Sequence, residues 1–152
     1  MFTKKITYTD YDGEERTETF YFNISRAELT ELQLTYPGGY AEHIEKVTES
    51  KDRAELVKMF KDIIHRSYGE KSEDGRRLIK SDTLSDAFMQ MPAYDELFMQ
   101  LATDADFAAS FIAGVVPDFG NPDQKAEILE KARQRIEEKH QEALKADQRS
   151  LE

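Results

Sequence analysis

The sequence predicts an α+β fold that is predominantly α-helical: an N-terminal β-hairpin packed on a bundle of about six short helices, plus a C-terminal amphipathic helix. Three observations carry this expectation. Alternating runs flank an Asp-Gly pair near the N-terminus. From Ser25 to Pro117, apolar residues recur at helical spacing between Pro, Gly and capping residues. Residues 123–152 then lose aromatics altogether and keep only a thin apolar stripe.

The hairpin comes first. In residues 4–9, KKITYT, Ile6 and Tyr8 share a face. In residues 16–22, RTETFYF, Phe20 and Phe22 lie on one side and Tyr21 on the other. Asp12-Gly13 between two alternating runs is a hairpin signal. An isolated hairpin is marginal in water, so Ile6, Phe20 and Phe22 must pack on the helices.

Ser25 and Glu28 form an S-x-x-E capping box, which opens a first helix running to Thr35. Its stripe is Leu29, Leu32 and Tyr36, and Pro37-Gly38-Gly39 stops it. The second helix carries Tyr40, Ile44 and Val47 and breaks at residues 50–52. In the third, Leu56, Val57, Phe60, Ile63, Ile64 and Tyr68 fall at helical spacing, with Gly69 placed as its C-terminal cap. Residues 69–81 then read as a polar turn with Asp74-Gly75 at its tip.

Ser81 or Asp82 caps a fourth helix with Leu84, Phe88 and Met91, and Pro92 ends or kinks it. The fifth carries Tyr94, Leu97, Phe98 and Leu101. Thr103 or Asp104 caps a sixth, with Phe107, Ala108, Phe111, Ile112 and Val115, and Pro117 stops it. Residues 118–122 read as a linker. The last helix has the stripe Ile128, Leu129, Ala132, Ile136, Ala143 and Leu144. Its 129, 132, 136 spacing is heptad-like, but the next slot falls on Lys139 or His140, which ends any coiled coil. The expected organisation is a helical domain with its hairpin over 1–117, then a linker and charged amphipathic helix over 118–152.

Composition limits function. A chain of 152 residues can bury a core without staples. Its formal net charge of -10 disfavours nucleic acid and anionic membranes, since phosphate binding needs clustered Lys and Arg. The plain reading of that acidity is solubility. The absence of cysteine excludes disulfides, thiolate metal sites and a cysteine nucleophile, and suits a reducing cytoplasm. The N-terminal residues lack the apolar region of a signal peptide, and no apolar run approaches a membrane span.

Catalytic and metal sites are not expected. With Gly75 at position six of a calcium loop, position twelve would be Ser81, which cannot supply the bidentate carboxylate. His43, His65 and His140 each stand alone, outside any H-E-x-x-H pattern. The chain has no G-x-S-x-G, S-x-x-K, G-x-x-x-x-G-K or G-x-G-x-x-G. The expectation is therefore a protein that is not an enzyme and takes no cofactor and no metal.

Two features point to protein partners. Met89 and Met99 fall off the apolar stripes that hold Phe88, Met91 and Phe98, so they should be more exposed than Leu97 and Phe111. Met adapts to irregular helical partners. With Tyr94 beside them they form one candidate partner-binding set, and Ile128, Leu129 and Ile136 on the last helix form another. The competing readings are core packing for the first set and a solvated tail for the second.

The runs YGEKSEDGRRLIKSDTLSDAF and AYDELFMQLATDADFAASFIAGVVP, with the opening KKITYTDYDGEERTETFYFNISRAEL, resemble the tail assembly chaperones of long-tailed phages and prophages of Gram-positive bacteria. The likeness covers residues 3–117 as a whole rather than a short signature. It implies a non-enzymatic protein of the host bacterial cytoplasm. Such a protein binds the tape-measure protein, keeps it soluble, and promotes polymerisation of the tail-tube protein around it. Self-association is a further possible contact. The alternatives are a minor structural tail component retained in the virion, or an acidic protein-binding regulator. Interspersed Lys and Arg argue against the regulator.

Overall fold

A computed structural model describes residues 1–117 and 141–145. The chain divides into two units, Met1–Phe119 and Gly120–Glu152. In the second, residues 141–145 are helical and exposed.

The first unit is α+β and predominantly helical. Strands β1 (Phe2–Thr9) and β2 (Glu15–Phe22) form the expected antiparallel hairpin, paired residue for residue from Phe2↔Phe22 to Thr9↔Glu15. Its turn is locked by Asp10. That carboxylate accepts the backbone N–H groups of Asp12 and Glu14 and the Nε–H of Arg16. The Arg16 contact, then the Glu14 N–H, hold the Asp10 carboxyl below the usual carboxylate range. Gly13 takes the positive φ that the turn requires. Side-chain alternation then buries Ile6, Tyr8, Phe20 and Phe22 on one face and leaves Thr3, Lys5, Thr7 and Thr9 on the other.

Three helices follow: α1 (Arg26–Thr35), α2 (Tyr40–Ser50) and α3 (Arg53–Ser67). The capping box at α1 is complete. Ser25 Oγ accepts the Glu28 N–H, and a Glu28 carboxylate oxygen accepts the Ser25 N–H. Asp52 caps α3 by accepting from Ala54 and Glu55. The core stripe of α3 differs from expectation at its margins. Met59 is buried while Val57 is 40% exposed. Both lie at an edge of the stripe centred on Phe60, Ile63 and Ile64, and only the Met59 edge is covered.

The stretch expected as a polar turn is a second hairpin. Strands β3 (Tyr68–Lys71) and β4 (Leu78–Ile79) pair antiparallel, and β3 joins β2 through Tyr21↔Gly69 and Phe22↔Tyr68. The result is a four-stranded sheet in the order β1-β2-β3-β4. Gly69 is therefore a strand residue rather than the cap of α3. A Cβ there would meet Leu78 Cγ at 2.6 Å and Lys80 Cγ at 2.9 Å, so glycine lets the second hairpin fold across it. Asp74 closes the tip, where its carboxylate accepts from the Ser72 hydroxyl and the Arg76 N–H.

Helices α4 (Asp82–Met89), α5 (Pro92–Thr103) and α6 (Ala105–Val115) complete the unit. Ser81 caps α4 through Leu84 N, and Asp104 caps α6 through Phe107 N. Pro92 starts α5 at its first position, where a missing N–H costs nothing. α5 packs on β1 and α6. Phe2 crosses edge-to-face with Phe111 and reaches α6 closely at Gly114.

Candidate partner-binding surface

Phe88 organises the region that holds the candidate residues. It is buried at the junction of sheet and helices. It stacks on Tyr68 with ring centroids 4.4 Å apart, and it meets Phe20 at 5.1 Å and Phe22 at 5.6 Å. Tyr94 approaches it edge-on at 6.1 Å. One aromatic thus fastens the C-terminal end of α4 to both hairpins and to the start of α5.

The turn between α4 and α5 is short. Gln90 and Met91 donate their N–H groups back to Ala87 and Phe88. Met91 is extended, as the residue before a proline must be. On α5, Ala93, Leu97 and Leu101 are buried and face the core. Tyr94 and Phe98 lie at the edge of that stripe, half-buried, with rings 5.8 Å apart. Met91, Tyr94 and Phe98 all pack against the core while presenting part of their surface. Burial, then Asp95, raises the Tyr94 phenol above its ordinary pKa, so it is a neutral hydroxyl at neutral pH.

The predicted residues do not form one patch. Met89 is half-buried at the end of α4. Met99 is 57% exposed, against 1% for Leu97 and 0% for Phe111. Five residues along a helix rotate a side chain by about 140°, so Met99 stands on the far side of α5 from Tyr94. Its helical neighbours Asp95, Glu96, Ala102 and Thr103 are exposed too. The part-exposed apolar ledge is instead built on Tyr94 and Phe98, whose rings adjoin, with Met91 at the start of α5; the stripe pattern alone assigns Met91 and Phe98 to the core. Ile128, Leu129 and Ile136 lie outside the described residues.

Other exposed apolar residues are Leu34 on α1 and Tyr11 at the first hairpin tip, at 87% and 84%. Leu34 was legible by the same off-stripe test that found Met99, since it sits out of phase with Leu29 and Leu32. His65 Nε2 lies 3.1 Å from Asp86 Oδ1, and the His43 ring packs on Tyr36 at 4.6 Å. His140 is outside the described residues. Among the described residues no group of His, Asp and Glu could hold a metal ion, and no helix is long and apolar enough to cross a membrane. A shallow depression beside α1 is lined by Glu28, Glu31, Leu32 and Arg66. Two of its charges are engaged: Arg66 with Asp62 at 2.9 Å and Glu28 with Lys80 at 2.6 Å.

The model of a family described as phage tail assembly chaperone matches residues 1–151. No curated protein and no solved structure matches the chain.

Proposed function

Because the chain belongs to the phage tail assembly chaperone family, we propose that it binds the tape-measure protein, keeps it soluble and promotes polymerisation of the tail tube around it. Family membership across nearly the whole chain is the observation that carries this reading. Its physical support is the ledge of Met91, Tyr94 and Phe98. These side chains are anchored against the core and open on one side, which suits an apolar helical stripe laid across α4 and α5. A tape-measure protein is a long helix with such a stripe before it is encased. Thioether side chains adapt to successive, non-identical turns of a helical client. Net charge of -10 keeps a complex with an apolar client in solution.

In this role the chain acts by binding and release, without chemistry, in the host bacterial cytoplasm. Tail-tube protein is the second partner. Co-expression with the tape-measure protein is the test: the two should co-purify, and Phe98→Glu should abolish co-purification in a chain that still folds. Mass spectrometry of purified virions separates this role from a retained tail component, since the chaperone should be missing from the particle.

A further inference from the structure

We infer that the ledge on α4 and α5 sorts helices by charge: it takes an apolar helical stripe bordered by lysine or arginine and rejects one bordered by acids. This rests on the client-binding role proposed above and adds the charge pattern of the segment that is bound.

Charge is unevenly spread along the chain. Lysine and arginine are interspersed with acids through residues 1–80, yet no lysine, arginine or histidine occurs between Lys80 and Lys125. Helices α4, α5 and α6 occupy that interval, so they carry Asp82, Asp86, Asp95, Glu96 and Asp106 with no cation of their own. Lys80, the last cation before them, is engaged by Glu28 and the Asn23 carbonyl. Asp86 meets His65. Asp82, Asp95 and Glu96 are exposed and join no ion pair among the described residues.

Helix geometry sets one of these carboxylates on the rim of the ledge. Going round α5 from the buried Leu97 and Leu101, Tyr94 and Phe98 come next, and Asp95 follows about 100° beyond Tyr94. The Asp95 charge is close enough to raise the Tyr94 phenol's pKa. A helix laid with its apolar stripe on Tyr94 and Phe98 therefore brings the residues beside that stripe over Asp95. Lysine or arginine there meets an unpaired carboxylate, whereas glutamate or aspartate meets like charge. The same field turns away nucleic acid and anionic lipid, and a second copy presenting this face would set acid against acid. Charge complementarity thus selects a basic-bordered amphipathic helix as the occupant. Pairs on an exposed rim add little affinity, so the rings supply the binding and the carboxylates the choice of client.

Fluorescence anisotropy of labelled model helices titrated with the full chain tests the inference. Three alanine-based peptides of about 20 residues serve as probes. One has a leucine stripe bordered by lysine, one has the same stripe bordered by glutamate, and one scrambles the lysine peptide so that no stripe remains. The lysine-bordered peptide should bind roughly tenfold more tightly than either of the others, and its lead over the glutamate peptide should shrink at high salt. Asp95→Lys should narrow that lead roughly fivefold, and Asp95→Asn should narrow it less, with far-ultraviolet circular dichroism confirming that both variants fold. A lysine-bordered peptide that binds no more tightly than the other two overturns the inference. Tape-measure protein that co-purifies equally with the wild-type and Asp95→Lys chains also overturns it, while leaving the chaperone role intact. Charge-selective peptide binding by a chain that does not co-purify with tape-measure protein supports the inference and removes that client instead.

Discussion

Lys80 places its Nζ 2.6 Å from Oε2 of Glu28 and donates to the backbone carbonyl of Asn23 at 2.8 Å. The contact ties the end of the second hairpin to the N-terminus of α1. Glu28 also completes the capping box with Ser25, so one carboxylate serves a helix cap and a tertiary link. Burial works against the charged Glu28, but Lys80 and the Ser25 N–H outweigh it, and its pKa lies below the ordinary value.

Lys80→Met should therefore destabilise the first unit by about 1 kcal/mol, a charge-assisted link discounted for its partial exposure. The pH dependence has a definite sign. A lowered folded pKa means the stabilisation is present above the unfolded value of 4.5 and is lost as pH falls through the folded value. Urea denaturation from neutral pH to pH 3 should show a steeper acid loss in the wild type than in Lys80→Met.

Phe88→Ala removes the ring that touches Tyr68, Phe20, Phe22 and Tyr94 at once. The cost should be about 3–5 kcal/mol. Phe88→Leu should cost much less, because it keeps most of the volume. Chemical denaturation of the two variants gives the comparison.

Gly69→Ala should destabilise by about 1–3 kcal/mol through overpacking, since the new methyl meets Leu78, Lys80 and the Ile79 carbonyl. Gly75→Ala, where nothing lies within 4 Å but φ is +72°, should cost only about 1 kcal/mol from backbone strain. Hydrogen exchange should show the Gly69 variant losing protection in β3 and β4 before the rest of the unit.

Burial, then Glu70, pushes the Tyr68 phenol up to about 12. A raised folded pKa means its contribution is complete below the unfolded value of 10.0 and declines as pH rises from there toward 12. Stability should fall over that window, and Tyr68→Phe should flatten the fall. Thermal melts at pH 9 to 12 measure both.

The first hairpin, the caps at Ser25, Ser81 and Asp104 and the stripes of α1, α2, α4, α5 and α6 were legible because each signal is local. A capping box needs four consecutive residues, and an Asp-Gly turn needs two. The second hairpin was not legible. Its strands are short, four and two residues, and β3 is held by Tyr21 and Phe22, far away in sequence. Gly69 then carried the local signature of a helix cap while serving a tertiary close approach. The candidate surface was legible in part. Periodicity separated Met99 from Leu97, but it also assigned Phe98 and Met91 wholly to the core. Whether an edge residue of a stripe is covered depends on the neighbouring element, and the stripe itself does not encode that.

In the proposed role, the chain holds the tape-measure protein in solution through the ledge on α4 and α5. The most direct measurement is the soluble fraction of tape-measure protein expressed alone, with the chain, and with the Phe98→Glu chain. The client should be insoluble alone, soluble with the wild-type chain, and insoluble with the folded variant. A client equally soluble in all three cultures, or equally rescued by the variant, would contradict it.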